Sequence, residues 1–151
     1  MKTPINKELE TNKYEEIKII NNITDIKKWN IYNFNRNWLG EAKDAYEKKG
    51  SWRPCIVINI NKKSIHLLPL SSKPSREDFT IKFSFRTRNK PSYICVDLMK
   101  MLDPNKIKTE EVCKTILSIN TNKNIKISKK LEEEIKDKIK KYTEGYMNIV
   151  L

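Results

Sequence analysis

Between Cys55 and Leu98 the chain carries four short apolar segments of strand character with no helical period between them. Cys55 to Ile60 is a β-branched run and Ile65 to Leu70 a second apolar run. The short polar turn Asn61-Lys62-Lys63 between them predicts a β-hairpin. From Phe79 to Phe85, Phe79, Ile81, Phe83 and Phe85 alternate with Thr80, Lys82 and Ser84, the period of a half-buried strand. After the basic turn Arg86 to Pro91, the spacing predicts a strand over Tyr93 to Leu98, with Ile94, Val96 and Leu98 on one face. Consecutive short strands without crossover helices argue for antiparallel pairing and against a doubly wound sheet.

The flanks add an earlier strand and three helices. Trp29 to Phe34 reads as a first strand. Leu39 to Lys49 contains the helix formers Glu41, Ala42, Ala45 and Glu47, with Gly50 at its C′ position. Thr109 is placed to cap a helix carrying Val112, Cys113, Ile116 and Leu117. Ser128 is placed to cap a last helix with Leu131, Ile135 and Ile139 on one stripe, ending in Lys140, Lys141 and Tyr142. The expected fold class is α+β, a small antiparallel β-barrel packed against helices. Residues 1–26 are mostly polar, with Ile17, Ile19, Ile20 and Ile23 as the apolar cluster, and read as a partly ordered N-terminal arm or short helix. Residues 27–151 form the expected domain.

A length of 151 residues suits one domain, with 38% hydrophobic residues for a core and 33% charged residues for its surface. No stretch reaches the ~18–20 apolar residues of a membrane span. Met1-Lys2-Thr3-Pro4 leads into charged residues rather than an apolar signal region. Cys55, Cys95 and Cys113 are odd in number and far apart, which argues against a disulfide framework or a zinc site and for a reducing cytoplasm. Thirty-one basic against nineteen acidic residues leave a net charge of +12, which favours a polyanionic partner, nucleic acid ahead of membrane. Lysine supplies 26 of the basic residues, and with abundant Asn and Ile this fits an AT-rich coding sequence. The five arginines, Arg36, Arg53, Arg76, Arg86 and Arg88, therefore stand out.

The common catalytic signatures are missing: no Gly-rich phosphate loop, no G-x-S-x-G and no H-E-x-x-H. A single histidine, His66, excludes a two-histidine acid–base pair. Alternation puts it on the face of Leu68 and Leu70, five residues before Ser71, where a structural sheet histidine is expected. The runs Glu110-Glu111 and Glu132-Glu133-Glu134 read as solvated helix faces, and no cofactor or metal is expected. Cys55 and Cys95 read as small core residues.

The informative block is Ser51-Trp52-Arg53-Pro54-Cys55, followed by Pro69-Leu70-Ser71-Ser72-Lys73. In a hairpin, the residues before the first strand and after the second lie at one end. Arg53 and Ser71/Ser72 then converge at one rim of the sheet. A planar cationic fork beside hydroxyls suits a phosphate, although a surface arginine beside an ordinary turn has the same sequence.

These fragments, in this order, resemble the MazF/PemK family of toxin endoribonucleases. The resemblance spans about residues 27–142 and is carried by Lys28-Trp29-Asn30-Ile31-Tyr32, Arg53-Pro54-Cys55-Ile56-Val57-Ile58 and Pro69-Leu70-Ser71-Ser72. It continues through Phe79-Thr80-Ile81-Lys82, Ile94-Cys95-Val96-Asp97-Leu98 and Ile127-Ser128-Lys129-Lys130-Leu131. The chain departs from the family where Trp38 to Lys49 replaces a G-S-E-Q-type loop and where Leu98 follows the strand-end acid in place of glutamine. Ser71-Ser72-Lys73-Pro74 is similar also to the ToxN/AbiQ branch, whose antitoxin is an RNA rather than a protein.

The resemblance implies an SH3-like barrel and metal-independent cleavage of single-stranded RNA. It also implies a cognate antitoxin, protein or RNA, and allows a homodimer. Arg53 takes the place of the family's catalytic arginine and Ser71 that of its catalytic hydroxyl, with Ser72 and Lys73 as adjacent helpers. An RNA track is expected around Lys73, Arg76, Lys82, Arg86, Arg88 and Lys90, with aromatics at Trp52, Phe79, Phe85 and Tyr93. Within it, Trp52, Arg76, Arg86 and Arg88 are the preferred contacts. A non-catalytic RNA- or ribosome-binding SH3-like module uses the same basic surface without needing Arg53 or Ser71. A protein-binding adaptor is the third reading.

Overall fold

The continuous run Cys55-Ile56-Val57-Ile58 is completely buried, so its strand is covered on both faces. A computed structural model of the chain describes residues 14–40, 52–84, 91–109, 111–118 and 121–144. The strands are β1 (Tyr14–Ile19), β2 (Ile31–Asn35), β3 (Trp52–Ile60), β4 (Ile65–Ser71), β5 (Thr80–Ser84), β6 (Pro91–Cys95), β7 (Lys100–Leu102) and β8 (Cys113–Ser118). The helices are α1 (Lys106–Thr109) and α2 (Lys129–Thr143). All strand pairings are antiparallel, in the order β1-β8-β2-β3-β4-β6-β5, with β7 also on β4. The fold is α+β with antiparallel strands, as expected for the small barrel, and among the described residues the eight-stranded sheet does not close on itself.

The predicted hairpin is β3–β4. Asn61 closes its turn: its side-chain carbonyl accepts from the backbone amides of Lys63 (2.7 Å) and Ser64 (3.0 Å). The outer edge of β4 is divided between two partners. Ile65 to Leu67 pair with β7, and Leu70 and Ser71 pair with β6. A 3₁₀ turn, Val96–Leu98, lets the chain step from one to the other. The strand expected over Tyr93 to Leu98 therefore stops at Cys95, and Leu98 is exposed while Ile94 and Val96 are buried.

One sheet face packs Ile31, Ile56, Ile58, Leu68, Leu70, Ile81, Phe83, Ile94 and Ile116 against Leu131, Ile135 and Ile139 of α2. The stripe and its cap are those predicted, with the Ser128 hydroxyl accepting from the Leu131 amide at 3.2 Å. The opposite face packs Tyr32, Phe34, Cys55, Val57, Ile65, Leu67 and Cys113 under Ile20, Ile26, Leu39, Ile107 and Val112. Glu132, expected on a solvated face, is buried between Lys129 (2.8 Å) and Lys136 (3.0 Å). Burial alone would raise its carboxyl; the two lysine hydrogen bonds outweigh that and hold it below the usual range.

Three other expectations change. The helix predicted after Thr109 is the strand β8, because Cys113 and Ile116 serve opposite covered faces rather than one helical stripe. Of residues 1–26, Tyr14–Ile19 form an edge strand on β8 where a short helix was considered. The strand expected from Trp29 is β2 and begins at Ile31, since Trp29 has a left-handed backbone (φ 63°) that breaks the extended run. The helix expected over Leu39 to Lys49 lies outside the described residues, except that Leu39 and Gly40 end a turn. Among the described residues no helix is long and apolar enough to cross a membrane.

Two consequences follow for stability. Asn33, in the middle of β2, is 1% exposed, and among the described residues neither its amide nitrogen nor its oxygen has a hydrogen-bond partner. A buried unpaired amide costs about 1–3 kcal/mol. Asn33→Leu, close in volume, is expected to raise the thermal midpoint by several degrees; a lowered midpoint in a melting experiment would contradict this.

Burial pushes the Tyr32 phenol up to about 12, against the opposing hydrogen bond from the Lys27 amide. The folded state thus keeps the neutral phenol while the unfolded chain ionises it near 10. The stabilisation is complete below that pH and is lost as pH rises through the folded value. Urea midpoints of wild type and Tyr32→Phe are expected to converge or cross over this alkaline range; a constant gap would refute the linkage.

Candidate functional site

Backbone register builds the rim at which β2 ends, β3 begins and β4 ends. Phe34 lies opposite Arg53, and Cys55 lies opposite Pro69. Two residues further along, the same register sets Arg53 beside Ser71. The Arg53 guanidinium crosses to β4, where Nη1 donates to the Leu70 carbonyl at 2.8 Å. This contact anchors the planar fork next to the Ser71 hydroxyl. Arg53 and Ser71 are both half-buried, while Ser72 and Lys73 are exposed. Ser71 Oγ accepts from the Lys73 amide at 3.1 Å, which leaves the hydroxyl proton to be donated outward.

The loop after Ser71 is fixed from several sides. Cys95 Sγ donates to the Lys73 carbonyl (3.9 Å), and the Ser75 hydroxyl donates to Asp97 at 2.6 Å. The Thr80 hydroxyl accepts from the Ser75 amide (3.2 Å) and donates to the Arg76 carbonyl (2.8 Å). The strand-end acid Asp97 thus holds the loop that carries Ser72 and Lys73. Sequence reasoning placed Asp97 but not this role; the hydroxyls at Ser75 and Thr80 were the available signal.

Arg53, Ser71, Ser72 and Lys73 are therefore brought to one place. The RNA-contact candidates separate. Trp52 follows the parity of Ile56 and Ile58, opposite to that of Arg53, and its ring meets Lys114 Nζ at 4.1 Å. Arg76 is exposed on the loop, its guanidinium 5.3 Å from the Phe79 ring centre. Phe79 in turn meets Tyr142 edge-on at 5.1 Å. Arg86, Arg88, Phe85 and Lys90 lie outside the described residues.

His66 sits opposite Asn59 and Met101 near the start of β4, far from the rim, and among the described residues its buried Nδ1 has no hydrogen-bond partner. Cys55, Cys95 and Cys113 are buried free thiols. Burial pushes the Cys113 thiol well above its ordinary range, so it is a poor nucleophile. Among the described residues no cluster of three His, Cys, Asp or Glu is placed to hold a metal ion. No protein-family model matches the chain, and no curated protein matches it.

Proposed function

We propose that the protein is a toxin endoribonuclease of the MazF/PemK type, acting in the cytoplasm on single-stranded RNA and neutralised by a cognate antitoxin. In this reading the antiparallel sheet belongs to that family's SH3-like barrel architecture. The observation that carries it is the Arg53 guanidinium, anchored on the Leu70 carbonyl beside the Ser71 hydroxyl at a half-exposed rim. The net charge of +12 supports a polyanionic substrate.

The chemistry needs no group beyond substrate and side chains. The RNA 2′-OH attacks the adjacent phosphorus and the bond to the 5′ oxygen breaks. The proton leaving the 2′ oxygen is balanced by one delivered to the 5′ oxygen. The products are a 2′,3′-cyclic phosphate and a 5′-OH. Negative charge builds on the non-bridging oxygens of the phosphorane, where the fixed Arg53 fork stabilises it. Ser71 donates its free proton to the phosphate, orienting it or relaying a proton. Ser72 and Lys73 add donors at the rim's exposed side.

The protein, incubated with mixed-sequence single-stranded RNA in EDTA, is expected to give discrete fragments. Intact RNA accompanied by a salt-sensitive mobility shift would replace cleavage with the non-catalytic binding module. Intact RNA with no shift would refute both.

A further inference from the structure

The register that joins Arg53 to Ser71 continues across two more strands. Ser71 lies opposite Tyr93, and Tyr93 lies opposite Lys82. Directly opposed residues share a face, so Arg53, Ser71, Tyr93 and Lys82 form one row across β3, β4, β6 and β5. The neighbouring row fixes which face this is. Leu70, Ile94 and Ile81 are opposed in the same way, and all three are buried under α2. The row of Arg53 and Ser71 is therefore on the other side of the sheet.

Exposure rises along it. Phe34, opposite Arg53, is completely buried; Arg53, Ser71 and Tyr93 are half-buried; Lys82 is exposed. The row thus emerges from the covered core into solvent. Its inner border is the loop after Ser71, which lies over the buried Cys95 through the Lys73 carbonyl. At strand spacings of ~4.8 Å, the row runs ~14 Å from Arg53 to Lys82. It carries a cation at each end, with a hydroxyl and an aromatic ring between them.

We infer that this row is the binding track for single-stranded RNA. The strand crosses β3, β4, β6 and β5 at right angles, Tyr93 stacks on a base, and Lys82 binds a phosphate beyond the one held by Arg53 and Ser71. The inference rests on the ribonuclease reading for its ligand. Lys82 lies two strand spacings, ~10 Å, from Ser71, so it serves a neighbouring phosphate and not the cleaved one. Half-buried Tyr93 offers a ring already held by the sheet, which suits sequence-tolerant stacking. Trp52, on the opposite face, takes no part.

The test is fluorescence anisotropy with a labelled, uncleavable 2′-O-methyl RNA of mixed sequence. Lys82→Ala is expected to weaken binding about tenfold and to lower the salt slope by about one. Tyr93→Leu is expected to weaken it roughly tenfold or more, while Tyr93→Phe retains affinity. Lys130→Ala, an exposed lysine of α2, leaves binding unchanged. Thermal melts identify any loss of fold in the Tyr93 variants, and Lys82, exposed on its strand, tests the track without disturbing the core. If Lys82→Ala and Tyr93→Leu bind like wild type while wild type still cuts RNA, the track is wrong and the activity stands. If wild type binds without cutting and both variants lose affinity, the track stands and cleavage falls. A wild-type protein that neither binds nor cuts overturns both.

Discussion

Arg53→Ala cuts single-stranded RNA about 10²–10³-fold more slowly than wild type while keeping its fold, because one preorganised donor to a developing oxyanion is worth that much. The side chain is half-buried at the rim and belongs to neither buried core cluster, so its removal leaves both packed cores in place. Arg53→Lys keeps the charge but not the planar fork, and recovers only part of the rate. Ser71→Ala is expected to follow Arg53→Ala in direction. Initial rates with a labelled RNA in EDTA, read beside circular dichroism of each variant, check the set. A folded Arg53→Ala protein with wild-type rates would remove the rim from the mechanism.

Phe34→Ala lowers the stability of the whole domain by about 3–5 kcal/mol. Phe34 has no exposure and is opposed by Arg53 on one side and by Cys113 on the other. It packs with Tyr32, Cys55, Val57 and Cys113 beneath Ile20, Ile26 and Leu39. Loss of the ring opens a cavity in the core on the same sheet face as Arg53, next to the rim. The penalty therefore falls on global stability and on the seating of the guanidinium together. Urea denaturation measures the first, and cleavage by the folded fraction at low temperature measures the second. A loss below about 1 kcal/mol would mean that this face is not the close-packed core described.

The parts legible in the sequence are those where one rule acts alone. The β3–β4 hairpin shows as two apolar runs across a polar turn, and the hairpin by itself brings Arg53 to Ser71. Helix α2 shows through its Ser128 cap and its single stripe. Strand β8 was hidden because both sheet faces are covered: Cys113 and Ile116, three residues apart, mimic a helical stripe while serving opposite cores. Strand β1 was hidden because its sequence, with Glu15, Glu16 and Lys18, is that of a charged edge strand. The β6–β7 break was hidden because Ile94 and Val96 alternate smoothly, and only the division of β4 between two partners explains the 3₁₀ turn.

At the site, neighbours in sequence were grouped too readily. Trp52 adjoins Arg53 in the chain, yet strand parity sends the two to opposite faces. Tyr93 and Lys82 are distant from Arg53 in sequence, and only the register places them in its row. Asn33 gave no signal at all, since an unpaired buried amide depends on what surrounds it.

The central claim, that Arg53 and Ser71 promote attack by the RNA's own 2′-OH, is tested most directly by the chemistry of the product ends. RNA fragments formed in EDTA and analysed by mass spectrometry are predicted to carry 2′,3′-cyclic phosphate and 5′-OH termini, in amounts that collapse with Arg53→Ala. Fragments ending in 5′-phosphate, or yields unchanged by Arg53→Ala, would contradict it.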